Sequence, residues 1–145
     1  MDTRKILEYM KPYTAFLGAF PLNHVPETHQ RPCSMIINTD PCTEPGTHWV
    51  ALFLNSDGTG EYFDSFGLPP LHPLLWYYIR KACPQGLTHN CITLQSYEAN
   101  TCGLYAILYL KLRHKGYSVL NILSLFSRNT VQNEKLINKW NIKLL

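Results

Sequence analysis

Long apolar runs are missing from this sequence. The longest, Leu104–Leu110, is too short to cross a bilayer, so no membrane partner is expected. No apolar stretch follows Met1-Asp2-Thr3-Arg4-Lys5 as it would in a secretory leader, and an intracellular location is the expectation. No C-x-x-C pair occurs, which speaks against a structural zinc site. The cysteines, Cys33, Cys42, Cys83, Cys91 and Cys102, are odd in number and scattered. They form no disulfide framework and read as thiols of a reducing compartment, most of them packing and one open to reactivity. His24, His29, His72, His89 and His114 have no metal-ligand spacing and read as surface or loop residues. Charge is sparse at 16%, and the net +3 is a mild bias that neither requires nor excludes nucleic acid. Repeats, low-complexity tracts and long linkers are absent, so residues 1–145 read as one domain, expected to be monomeric.

What is present is a mixture of short strands and amphipathic helices. Arg4–Met10 reads as a helix stopped near Pro12, and Pro21–Pro32 as loop. Met35–Asn38 is a candidate strand, and Asp40–Gly46 a turn or loop. Trp49–Leu54 is continuously apolar, the pattern of a strand buried on both faces. Asn55-Ser56-Asp57-Gly58-Thr59-Gly60 is turn chemistry, and Glu61–Asp64 reads as the returning strand. That hairpin begins at His48 and ends at Asp64, so the two side chains are predicted neighbours.

Leu71–Ala82 has helical spacing, and Cys91–Leu94 carries the β-branched residues of a fourth strand. A helix is expected from Cys102 to about Lys115, capped by Asn100 or Thr101 and ended by Gly116. Val119–Phe126, capped by Ser118, and Val131–Lys143, capped by Asn129 or Thr130, are the last two. Helices around a small central mixed or antiparallel sheet define an α+β fold.

Cys102 then stands at a helix N-terminus, where free N–H groups and the helix dipole stabilise a thiolate. Gly103 removes a side chain beside it, so a substrate has room to approach. A histidine taking the thiol proton and an acid orienting that histidine would complete a nucleophilic relay, and His48 and Asp64 supply both. The backbone N–H of Cys102 and the side-chain amide of Gln95 are candidate donors for an oxyanion. The chain order is His, acid, Gln, Cys, unlike papain-like enzymes, in which the cysteine comes first.

The order of these residues and several local words resemble the adenovirus protease (adenain) and, more distantly, SUMO-specific proteases of the same clan. They are "FLGAF" (16–20), "INT" (37–39), "GTHWVALF" (46–53), "YFDSFG" (62–67), "CITL" (91–94) and "QSYEANTCGLY" (95–105). The resemblance implies an adenain-like fold and a thiol endopeptidase. Its base would be His48, its third member Asp64, its oxyanion donor Gln95 and its nucleophile Cys102. Trp49 matches the family's aromatic beside the active site, placing Trp49 and Gly103 at the substrate. Substrates would be viral capsid or core precursors cut at glycine-containing sites during virion maturation. Host nucleus and virion would be the locations.

The family also uses DNA and an activating peptide as accessories, with no cofactor required for the chemistry. Lys111, Arg113, His114 and Lys115, with Arg128, Lys135, Lys139 and Lys143, are the residues a viral DNA would meet, although cations are favoured at helix C-termini anyway. Cys91 resembles the family's peptide-linking cysteine but lies nearer the nucleophile, and the C-terminal side is shorter. Asp64 stands where adenoviruses often carry Glu. These features suit a small DNA virus or a virus-derived element. A deubiquitinase or SUMO-isopeptidase is the enzymatic alternative, and a non-catalytic binding module the other.

Overall fold

The computed structural model describes residues 1–39 and 48–144, with side chains through Trp140. The expected loop at Asp40–Gly46 and Cys42 therefore lie outside the described residues. Helix α1 (Thr3–Met10) is capped by Asp2, whose carboxylate accepts from the Lys5 N–H at 2.9 Å. Strand β1 (Phe16–Pro21) follows, then a 3-10 turn at Leu22–His24. After these come β2 (Cys33–Asn38), β3 (Trp49–Leu54), β4 (Thr59–Phe63), α2 (Pro73–Ala82) and β5 (Gly86–His89). Helices α3 (Cys102–His114), α4 (Val119–Leu123) and α5 (Thr130–Leu144) complete the chain. Among the described residues, no helix is long and apolar enough to cross a membrane.

The five strands lie in sequence order in one mixed sheet. β1–β2 and β4–β5 are parallel, and β2–β3 and β3–β4 antiparallel. Strand alternation divides the core into two layers. Trp49, Ala51 and Phe53 of β3 face α3, together with Ile36 of β2. Val50, Leu52 and Leu54 face the opposite way, with Met35 and Ile37, onto Leu75 and Ile79 of α2. Every residue of β2 and β3 is buried, the condition the unbroken apolar run at Trp49–Leu54 predicts. Helix α3 is buried continuously from Cys102 to Leu112, which explains its lack of a polar stripe. It is the central helix, wrapped by α1, α4 and α5.

Four expectations need correction. β1 was missing from the sequence reading, because Gly18, Pro21 and an irregular register between Phe16 and Ala19 obscure its period. Cys91–Leu94 is not a strand. The fifth strand is Gly86–His89, and the N–H groups of Leu94 and Gln95 both go to the Ser65 carbonyl, at 2.8 and 3.0 Å, instead of to a ladder. The helix expected over Val119–Phe126 ends at Leu123. α2 begins at Pro73, two residues later than read, with His72 capping it by accepting from the Leu74 N–H at 3.1 Å.

Candidate active site

The β3–β4 hairpin turns as its sequence requires. Gly58 adopts φ +87°, the Asn55 N–H donates to the Thr59 carbonyl at 2.9 Å, and the Asp57 carboxylate accepts from the Thr59 N–H at 2.9 Å. Registers Ala51–Phe63 and Leu54–Gly60 then bring the hairpin's open end together. There His48 Nε2 lies 2.8 Å from Asp64 Oδ1. Asp64 is buried at 3% exposure, and the same oxygen accepts from the Phe66 N–H at 2.8 Å. Asn90, just after β5, fixes the Asp64 backbone, its amide donating to the Asp64 carbonyl (2.6 Å) and its Oδ1 accepting from the Asp64 N–H (3.0 Å). The Phe66 ring lies against the imidazole, centroids 5.0 Å apart.

Cys102 opens α3 with its sulfur buried against the same hairpin. The Trp49 N–H points at Sγ from 3.5 Å. Asp64 occupies Nε2 of His48, which leaves Nδ1 for the thiol. Burial raises the Cys102 thiol, but the hydrogen bond from His48, the Trp49 N–H, the imidazolium charge and the Gly103 N–H bring it below its ordinary value. Burial pulls the His48 imidazolium down, and the bonds and charges of Asp64 and Cys102 outweigh that and push it up to about 9. The pair therefore favours thiolate and imidazolium together. Two other thiols move the opposite way: burial raises Cys33, and it pushes Cys83 up to about 11. Cys91 is exposed.

Gln95 is buried in the irregular loop before α3. Its Oε1 accepts from the Ser65 hydroxyl at 2.5 Å, and its Nε2 donates to the Ala99 carbonyl at 2.7 Å. Orientation of the amide is thus fixed, with a second N–H left for another acceptor. Gly67 lets the turn after β4 press on this region: it has φ +74°, and a Cβ there would meet the Ile92 carbonyl carbon at 2.8 Å. Trp49 is buried, and its indole N–H donates to the Met1 carbonyl at 3.0 Å. Over Gly103 lies Met1, whose Sδ a Cβ would meet at 3.1 Å. Beside His48 and Asp64 opens a cleft of about 440 Å³, walled by Tyr62, Leu68, Pro69, Leu71 and Leu75.

Of the site residues read from sequence, His48, Asp64 and Cys102 meet at one point, with Trp49 and Gly103 beside the sulfur and Gln95 in the loop leading to it. Ser65, Phe66 and Asn90 were missed. Ser65 and Phe66 lie within the "YFDSFG" segment, but no local pattern assigns them a role, and Ser65 and Asn90 act through contacts across the fold. The basic residues separate. Lys111 is buried beneath the Tyr9 and Tyr13 rings, 5.6 and 5.9 Å from their centroids. Arg113 pairs with Glu61 at 2.7 Å. His114, read as a surface or loop residue, is half-buried against Tyr13 and Phe53 and bonds Ser34 at 2.6 Å. Lys115, Arg128, Lys135 and Lys139 remain exposed.

A thiol at the head of a buried helix, an imidazole at a strand start and a buried acid across a hairpin make up the candidate site. The crystal structure of an African swine fever virus protease has a similar fold. The likeness covers 90% of this chain and 62% of that one, with TM-score 0.57 and 21% identity. In sequence the chain is similar to a cysteine protease of African swine fever virus (a Tick/Malawi isolate), 32% identical over 108 residues. That match takes in 66% of this chain and 40% of the relative. A protein of the Pretoriuskop isolate named as a SUMO-1 cysteine protease is 31% identical over 108 residues, with the same coverage. The chain thus spans 40% of the length of these viral relatives. No protein-family model matches it.

Proposed function

We propose that the chain is a thiol endopeptidase that cuts viral precursor polypeptides. The observation that carries this reading is the hydrogen bond between Cys102 at the helix N-terminus and His48 at the open hairpin end, with His48 held in turn by Asp64. Sγ of the thiolate attacks the scissile carbonyl carbon, and the carbonyl π pair moves to oxygen. The Cys102 N–H and the Gln95 amide are the assigned donors to that oxyanion. The His48 imidazolium gives its proton to the leaving amine as the C–N bond breaks. Water, deprotonated by His48, then attacks the thioester, and the C–S bond breaks to restore the thiolate. Asp64 holds the imidazole in orientation throughout.

A polypeptide substrate suits the cleft beside His48, since the leaving amine must lie against the imidazole that protonates it. Met1, bonded by the Trp49 indole, crowds the space over Gly103, and a narrow approach there favours glycine on the acyl side. Maturation of capsid or core precursors, in host cell and virion, is the assigned task. DNA and an activating peptide enter only as accessories of the resembled family. The name of one viral relative keeps a second reading in view, cleavage after a ubiquitin-like tail.

The test is to express the chain beside candidate viral structural precursors and map new termini against Cys102→Ala. A SUMO-tail fluorogenic substrate runs in parallel. New glycine-flanked termini that vanish in the variant support the proposal. Fast SUMO-tail turnover without them favours the second reading, and loss of both overturns enzyme function.

A further inference from the structure

The residue preceding the nucleophile is in the cap position of α3 yet does not cap it. Thr101 makes no side-chain bond to the helix it opens. Its hydroxyl instead donates to Glu134 on α5, 3.0 Å from Oε1 and 2.9 Å from Oε2. Oε1 of the same carboxylate also accepts from the Ser96 N–H at 3.0 Å. One side chain therefore ties both ends of the 96–101 loop. The neighbouring Asn133, buried at 2% exposure, donates to the Leu94 carbonyl at 3.1 Å and to the Ser127 carbonyl at 2.7 Å. Its Oδ1 accepts from the Ser127 N–H at 3.0 Å, so its orientation is set. Leu94 and Ser96 flank Gln95. The segment that carries Gln95 and delivers Cys102 hangs from α5 at residues 94, 96 and 101.

We infer that Glu134, seated by Asn133, is a positioning residue for the oxyanion side of the site; this rests on the acyl-transfer reading above. Donors stabilise an oxyanion only when placed within a narrow distance of the developing charge. An irregular loop has no ladder of its own to hold such placement. A carboxylate accepting from the two loop ends replaces that ladder with charge-assisted bonds. The His48–Asp64 pair is fixed separately, by Asn90 and the Phe66 N–H. Loss of Glu134 therefore loosens the oxyanion donors while leaving the thiolate–imidazolium pair in place.

The experiment uses the full chain with Glu134→Ala, Glu134→Gln and Thr101→Val. Turnover of a cleaved precursor, alkylation of Cys102 by iodoacetamide, and affinity for a peptide aldehyde are measured on each. Alkylation needs only the thiolate, whereas turnover and the hemithioacetal oxygen need the donors. Glu134→Ala is expected to lower kcat by about 10- to 100-fold, as expected for a sub-ångström to ångström misplacement, with KM little changed. Aldehyde affinity falls alongside, and the alkylation rate stays within about twofold, in keeping with an intact thiolate. Glu134→Gln keeps one acceptor and falls between, and Thr101→Val gives a smaller loss of the same kind. Equal falls in alkylation and turnover, or unchanged kcat and aldehyde affinity in all three variants, would overturn the inference. A wild-type chain that alkylates and binds aldehyde but cleaves nothing sinks the protease reading instead, and the aldehyde series still decides the role of Glu134.

Discussion

His48 and Asp64 stand at the two ends of one hairpin, whereas Gln95 and Cys102 stand at the two ends of an irregular loop. The first pair is brought together by strand register and a glycine turn. The second is suspended from the turn after β4 through Ser65 and from α5 through Asn133 and Glu134. In the proposed mechanism, local pairing therefore builds the proton-transfer half, and long-range side-chain bonds build the half that would meet the oxyanion. Damage to each half should have a distinct signature: lost proton chemistry for the hairpin, and lost transition-state donors with an intact thiolate for the loop.

Cys102→Ala breaks the comparison outright by removing the atom both halves serve. Single-turnover cleavage should fall on the order of 10⁵-fold, with the variant still folded. Asp64→Asn attacks only the hairpin half. It keeps the shape but presents an amide to Nε2, and kcat should drop about 10²- to 10⁴-fold with a disturbed pH profile. The far end of the same hairpin offers a control. Glu61 there accepts from Arg113 at 2.7 Å and from the Tyr109 hydroxyl at 2.7 Å. Glu61→Gln should cost about 3 kcal/mol in urea unfolding, because a buried partner loses its charge. Below the unfolding transition, its turnover should match wild type.

The pH response sharpens the same contrast. His48 is held up to about 9 from an ordinary 6.5, and Cys102 is held down. In the proposed mechanism, the imidazolium that would protonate the leaving amine therefore persists up to about 9. Above that pH, kcat/KM should fall about tenfold per unit, as for loss of one essential proton. The raised His48 also contributes stability that is full below about 6.5 and is lost as pH rises through about 9, so His48→Ala should flatten stability across that window. The smallest effect is expected in the apolar cleft. Leu71, exposed at its rim, changed to Asp should raise KM for a precursor a few-fold, about 1 kcal/mol of apolar contact, and leave kcat alone.

Legibility followed the same division. Trp49–Leu54, the Asn55–Gly60 turn and Asp64 are contiguous, and a hairpin has one way to close, so the neighbourhood of His48 and Asp64 could be read from sequence. α3 was equally plain, since an apolar run ended by Gly116 must be a buried helix. β1 was hidden by Gly18 and Pro21, and β5 is four residues with little apolar pattern. The β-branched pair in "CITL" pointed to a strand that the Ser65 carbonyl claims for a turn. Thr101 looked like a cap because capping residues are chosen by local chemistry, while its partner Glu134 lies 33 residues away. Lys111 and Arg113 looked like a solvated basic end, and only packing shows that aromatic rings and Glu61 receive them.

The sequence by itself determined the α+β class, the buried β3 strand, the closing of the hairpin and the placing of a thiol at the head of an apolar helix. Each of these follows from periodicity, turn chemistry or a terminus, which act over a few residues. Tertiary structure alone decided that Ser65 and Ala99 hold the Gln95 amide, that Asn90 clamps Asp64, and that Glu134 gathers the loop before Cys102. Apart from the local bond between Gln95 and Ala99, those bonds join residues far apart in the chain, and only the packing of α5 and the sheet around α3 brings their partners within reach.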